Sequence, residues 1–178
     1  MKKIKKVIFN IEKLNKKIGE AVSWLVLSMA LTAFFVVLLR YFYNIGFVWM
    51  QESYIWMHGL IFLFGASYAL MNDKHVRVDI FYRLTSEKIK ALINIIFSIL
   101  FLIPFIIVIS KYSIPYILKS WDGLEKSREA GGIPFLYLYK SCLLLFCINL
   151  FFQTISLILR CLLVLSNKEK KIFFKLIN

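Results

Sequence analysis

Charge is what this chain withholds. Residues 21–39, 53–72, 91–110 and 141–159, four runs of 19 or 20 residues, contain no Asp, Glu, Lys or Arg. A helix rises about 1.5 Å per residue, so each run spans roughly the 30 Å of a bilayer's hydrocarbon. Four such runs in 178 residues, 60% of them hydrophobic and 17% aromatic, exclude an ordinary soluble domain, which could not cover so much apolar surface. Cysteine is scarce too. Cys142, Cys147 and Cys161 are odd in number and lack metal-ligand spacing, which argues against a disulfide framework or a metal cluster and reads them as small packing residues.

A carboxylate or amine near the middle of a span is also missing, and with it the usual device by which a carrier acting alone holds substrate or coupling ion. His58 is the sole ionisable candidate at depth. A haem would want a second histidine at matching depth, but His75 falls at the edge of span two, so His58 reads as a helix-contact residue. No nucleophile with a base, phosphate loop or metal cluster can be assembled, which removes enzyme classes. Without an internal repeat or low-complexity tract, residues 1–178 read as one membrane domain. Residues 21–39 are not read as a secretory signal, because about twenty residues precede them and no small-residue cleavage site follows.

Acidic residues number ten against 23 basic ones, a formal charge of +13. Seventeen of the basic residues lie on the side of the two termini and six on the other, so the positive-inside rule predicts cytoplasmic termini. Attraction to anionic lipid then accounts for the surplus, with no nucleic acid as partner. The predicted fold is an all-α integral membrane protein with four transmembrane helices, at approximately 20–41, 50–71, 90–111 and 135–160. An N-terminal amphipathic interfacial helix over 1–19 precedes them, because Ile4, Val7, Ile8, Ile11, Leu14 and Ile18 recur at helical spacing among seven lysines. A disordered basic tail is its alternative.

The link after span two is expected at the interface, with Thr85 or Ser86 capping span three and Glu87 in its first turn. Pro104 is a candidate kink. Pro115 is expected to follow span three and open a loop over 112–134, in which Asp122-Gly123 is a turn and Gly131-Gly132-Ile133-Pro134 breaks the chain before span four. Asn149 with Gln153 and Asn94 with Ser98 read as hydrogen-bonding glue, and Gly59, Gly65, Ala66 and Ala69 as close-approach positions.

Two charges flank the first hairpin. Arg40 ends span one and Glu52 begins span two. Each suits its helix end, a contribution of a few tenths to about 1 kcal/mol. An ion pair between them is one alternative. Another is a docking edge for a second membrane subunit, formed with Trp49.

Several stretches in order resemble the small membrane subunit of tripartite ATP-independent periplasmic (TRAP) transporters. They are Arg40-Tyr41 ending span one, Trp49-Met50-Gln51-Glu52 starting span two, and the run from Phe62 through Gly65-Ala66 to Leu70. His75-Val76-Arg77-Val78-Asp79 and Gly132-Ile133-Pro134 complete the set. The resemblance implies a non-enzymatic scaffold in a bacterial inner membrane, bound stably to a large transporting subunit and transiently to a periplasmic substrate-binding protein. It further implies uptake of organic acids such as dicarboxylates, sialic acid or related sugar and keto acids. No cofactor is implied for this chain, and sodium coupling belongs to the large subunit. Arg40, Trp49, Glu52, Gly65, His75, Arg77 and Asp79 are the positions it marks for docking or structure. The rival from another class is a self-contained homo-oligomeric carrier or channel.

Overall fold

In the computed structural model, residues 2–74, 82 and 85–173 are described, and no strand occurs among them. Helix α1 spans Lys2–Tyr43 and α2 spans Val48–Met71. A third helical stretch joins α3 (Glu87–Phe97), a π-helical turn (Ser98–Leu102) and α4 (Ile103–Asp122), and α5 covers Leu136–Leu165. Among the described residues, four helical stretches are long and apolar enough to cross a membrane, matching the four charge-poor runs.

All four stretches end the same way. Asn44, Asp73, Leu124 and Asn167 adopt left-handed φ of 52°, 57°, 40° and 55°. Each lets the next amide turn back to a carbonyl five or six residues earlier: Ile45 to Leu39, Lys74 to Ala69, Glu125 to Ser120 and Lys168 to Leu163. These bonds satisfy carbonyls that a helix end otherwise leaves bare, and Asn and Asp tolerate the conformation best. At the start of α3, Ser86 Oγ accepts from the Ile89 amide and Glu87 occupies the first turn, the cap expected from sequence.

Two expectations need correcting. Residues 2–19 and the first span form one unbroken helix, since no proline divides them and the buried positions Ile8, Glu12, Asn15, Gly19 and Val22 follow one helical stripe. Pro115 does not end span three, because α4 continues to Asp122 and shortens the loop. A proline inside a helix costs about 3 kcal/mol. Here Ser113, Ile117 and Ser120, on one stripe through the proline, are all buried, and Ile117 alone recovers roughly 1.5–3 kcal/mol. Pro104 is accommodated by a wider turn: the Ile103 amide reaches back five residues to Ser98 O, giving the proline ring room.

The chain gathers into two compact units, Met1–Lys17 with Ala66–Ile109 and Cys147–Asn178, and Ile18–Gly65 with Ser110–Phe146. In the first, Ala91, Leu157, Cys161, Val164 and Ile172 form a buried apolar cluster, against which Leu70 and Ile95 pack. Beside it, Glu12 on α1 receives two hydrogen bonds from the Arg160 guanidinium on α5, at 2.5 Å each. Glu12 is 3% exposed and Arg160 5%. Ser156 Oγ donates to the same carboxylate, and Arg160 also donates to Ile172 O at 3.0 Å. The Ile172 amide in turn donates to Glu87. One turn of α1 further on, Asn15 Nδ2 donates to Gln153 Oε1 at 2.6 Å, so Gln153 does join two helices. Asn149 is buried, but its amide nitrogen has no hydrogen-bond partner among the described residues. Asn94 Nδ2 donates to Tyr82 Oη at 2.8 Å, and the Asn94 side chain also hydrogen-bonds Cys161 on α5.

A buried, multiply bonded pair is costly to halve. Glu12→Ala is expected to lower the unfolding free energy in detergent by about 3–5 kcal/mol. The double change Glu12→Leu with Arg160→Leu should recover most of that loss, read by equilibrium denaturation of all three proteins.

Candidate partner-docking site

The second unit carries the hairpin residues. Helix α2 presents two stripes offset by one residue. Glu52, Trp56, Gly59 and Leu63 recur at helical spacing and meet the rest of the unit. Trp56 stacks on Tyr139 of α5 with ring centroids 4.7 Å apart. A Cβ on Gly59 would lie 1.9 Å from Tyr139 Oη, so this glycine is what admits the tyrosine.

Glu52 ends this stripe as a clamp. Its carboxylate accepts from the Ser127 hydroxyl and, at 2.6 Å, from the Ile133 amide, both in the loop before α5. The loop closes on itself through the Ser127 amide and Ile133 O. Gly132 fits because it has no side chain: a Cβ there would sit 2.4 Å from Ser127 Oγ and 2.7 Å from Glu52 Oε2.

The second stripe, Gln51, Ile55, His58, Phe62 and Gly65, turns away. Ile55, His58 and Phe62 are exposed, and a Cβ on Gly65 would meet nothing within 4 Å. His58 lies ten residues into α2, about 15 Å along the axis. Lipid explains exposed isoleucine and phenylalanine, but an imidazole near mid-bilayer is costly unless something polar covers it. Next to Gln51, a groove lined by Val36, Arg40, Tyr41, Asn44 and Tyr54 continues this surface. Arg40 is exposed, with no hydrogen bond or ion pair among the described residues.

Arg40 and Glu52 are therefore not brought together as an ion pair. Trp49 is half exposed at the start of α2, its ring tilted beside Phe47. Gly65 faces outward. His75, Arg77 and Asp79 lie outside the described residues. Sequence reasoning missed Ser127 and Ile133 as the partners of Glu52, although Gly131-Gly132 was a signal of close backbone approach. It missed Glu12 with Arg160 as well, where the sign was a carboxylate among seven lysines, in helical register with Ile8 and Asn15.

Near the clamp, Glu125 accepts from Ser120 and is bonded and ion-paired to Lys140. The Lys140 hydrogen bond, helped by Ser120, holds the Glu125 carboxyl below the usual carboxylate range. A lowered carboxylate pKa contributes stability above that range and loses it as pH falls through the lowered value.

Four spanning helices, polar groups tied off at loops and a bare α2 face define a multi-pass membrane component. The chain belongs to the DctQ component of the tripartite ATP-independent periplasmic transporters, whose family model matches residues 29–163. It is thus the small membrane subunit of such a transporter. No curated protein and no solved structure matches it.

Glu52→Ala should raise hydrogen exchange at the Ile133 amide about 30-fold or more, since a hydrogen bond to a charged acceptor contributes about 2 kcal/mol. Gly132→Ala should act in the same direction by pushing Ser127 and Glu52 apart. The part of the loop's stability that Glu125 contributes should hold at neutral pH and be lost as pH falls through its lowered carboxyl range, measured as the difference in exchange between the parent chain and Glu125→Gln across a pH series.

Proposed function

We propose that this chain is the fixed scaffold of a sodium-coupled organic-acid uptake system, gripping the large transporting subunit with the outward stripe of α2. Membership of the DctQ family supports the large subunit as occupant, together with a soluble periplasmic protein that brings the substrate. The observation that carries the docking face is His58, exposed deep in a spanning helix where lipid alone is a poor neighbour. Gly65 gives a partner helix a place for close approach, and Arg40, without a counter-charge among the described residues, supplies a polar anchor at the rim. Sodium and substrate sites belong to the large subunit. The substrate is a dicarboxylate, sialic acid or a related sugar or keto acid, chosen by the periplasmic protein.

Four helices of spanning length and the basic surplus beside both termini support a reading with the two termini in the cytoplasm of a bacterial inner membrane. The lysines at the start of α1 then lie at the level of anionic headgroups, while the Glu12 stripe turns into the protein.

Co-purification with the large subunit after mild detergent extraction tests this reading. Gly65→Phe and His58→Leu should each reduce the fraction that stays bound by about tenfold, equivalent to 1.4 kcal/mol. Gly46→Ala, where a Cβ has open space, should leave it unchanged. Organic-acid uptake by liposomes containing this chain alone would overturn the scaffold role in favour of a self-contained carrier.

A further inference from the structure

A cleft of about 670 Å³ in the second unit is separate from the α2 stripe and is not explained by it. Two helix faces frame it: Tyr116, Lys119, Ser120 and Gly123 at the end of α4, and Leu136, Tyr139, Lys140 and Leu143 at the start of α5, each set at i, i+3, i+4 and i+7 spacing.

Charge and apolar surface are separated within the cleft. At the loop end stand Lys119, Arg128, Lys140 and Glu125. Lys140 is committed: it pairs with Glu125 and lies 4.0 Å from the centroid of the Tyr116 ring. Arg128 attracts the same carboxylate through space without forming an ion pair, and the Lys119 side chain has no hydrogen bond or ion pair among the described residues. Three cations against one carboxylate leave two positive charges uncompensated, both on exposed side chains. Toward the spans, Leu63 and Leu143 form an apolar wall, with Leu143 about 10 Å deeper along α5 than Leu136.

A free solute needs no apolar wall, and an acyl chain needs no cations. We propose that the cleft holds an anionic phospholipid, its phosphate between Lys119 and Arg128 and the upper part of an acyl chain against Leu63 and Leu143. Arg and Lys donors suit phosphate oxygens, Arg through paired N–H groups. The cations lie at the loop end of α4 and α5, so the site would select lipid from the leaflet at that end of the two helices. Glu125 serves to hold Lys140 over Tyr116, and thereby keeps the floor of the cleft shaped, rather than to oppose the ligand.

Native mass spectrometry of the purified full chain, titrated with dioleoyl phosphatidylglycerol or dioleoyl phosphatidylcholine, tests this. Phosphatidylglycerol should bind at least tenfold more tightly than phosphatidylcholine. Lys119→Gln with Arg128→Gln should bring the two lipids level, whereas Lys119→Arg with Arg128→Lys, which keeps both charges, should preserve the preference. Lys126→Gln, on the same loop but outside the cleft, should change nothing, and circular dichroism of each variant controls for folding. An unchanged preference in the folded double glutamine variant would overturn the proposal. Equal binding of both lipids to the parent chain would do the same. Inorganic phosphate displacing phosphatidylglycerol at equal concentration would reassign the cleft to a soluble anion.

Discussion

The ion pair between Glu12 and Arg160 is the constraint on which the first unit rests. Both groups lie away from water, where an unpaired charge costs several kcal/mol, so each fixes where the other must be. That requirement ties the beginning of α1 to the last turns of α5. Ser156 fills a remaining acceptor site on the carboxylate, and the Ile172 carbonyl fills a remaining donor on the guanidinium. Through Ile172, the same network reaches Glu87 in the first turn of α3. A carboxylate that looks like one more solvated charge in a lysine-rich segment is the centre of a network joining three helical elements. Such networks are weak devices for raw stability compared with apolar packing, but they are strict about register, because a half-turn slip leaves both charges buried and alone.

The second unit applies the same rule to backbone. In its loop between α4 and α5 the Ser127 amide donates to the Ile133 carbonyl and the Ile133 amide donates to Glu52, and the tightest point is a glycine with no room for a side chain. Glu52 was expected to act as a helix-end charge, to pair with Arg40, or to face a partner. What the geometry adds is that two amide or hydroxyl donors already consume its carboxylate. Arg40 is thereby released from Glu52, and one hairpin separates an inward-facing anion from an outward-facing cation. The two charges that seemed to be a pair in sequence have different tasks.

Periodicity made the four spans legible, since length and missing charge are local properties that tertiary context seldom reverses in lipid. The Ser86 cap was legible for the same reason, and Gln153 as interhelical glue followed from the rarity of amides in apolar runs. Boundaries were less readable. Pro115 looked like a terminator because its cost is local, while the burial of Ile117 and Ser120 that outweighs it depends on packing partners far away in sequence. The join between residues 2–19 and the first span was hidden because lysines dominate the pattern there, and composition does not say which stripe a helix turns inward. Gly59 and Gly65 looked alike in sequence. Only the position of Tyr139 tells them apart, one filled by a ring and the other facing open space.

That distinction bears on what the small membrane subunit must supply in the proposed scaffold role. Association in lipid gains little from apolar area, because acyl chains are as apolar as leucine, so specificity has to come from close packing and from polar groups that lipid satisfies badly. The inward stripe of α2 uses its glycine and its carboxylate inside the chain, which leaves those groups unable to recognise anything else. The outward stripe keeps a second glycine and a histidine unspent on the chain's own fold. A face built to meet lipid alone would gain nothing from either residue and would lose stability from the imidazole. In the proposed docking role, the two stripes, offset by one residue on a single helix, divide folding from recognition, and the side facing away from the fold is the one with groups that a protein neighbour would satisfy better than lipid.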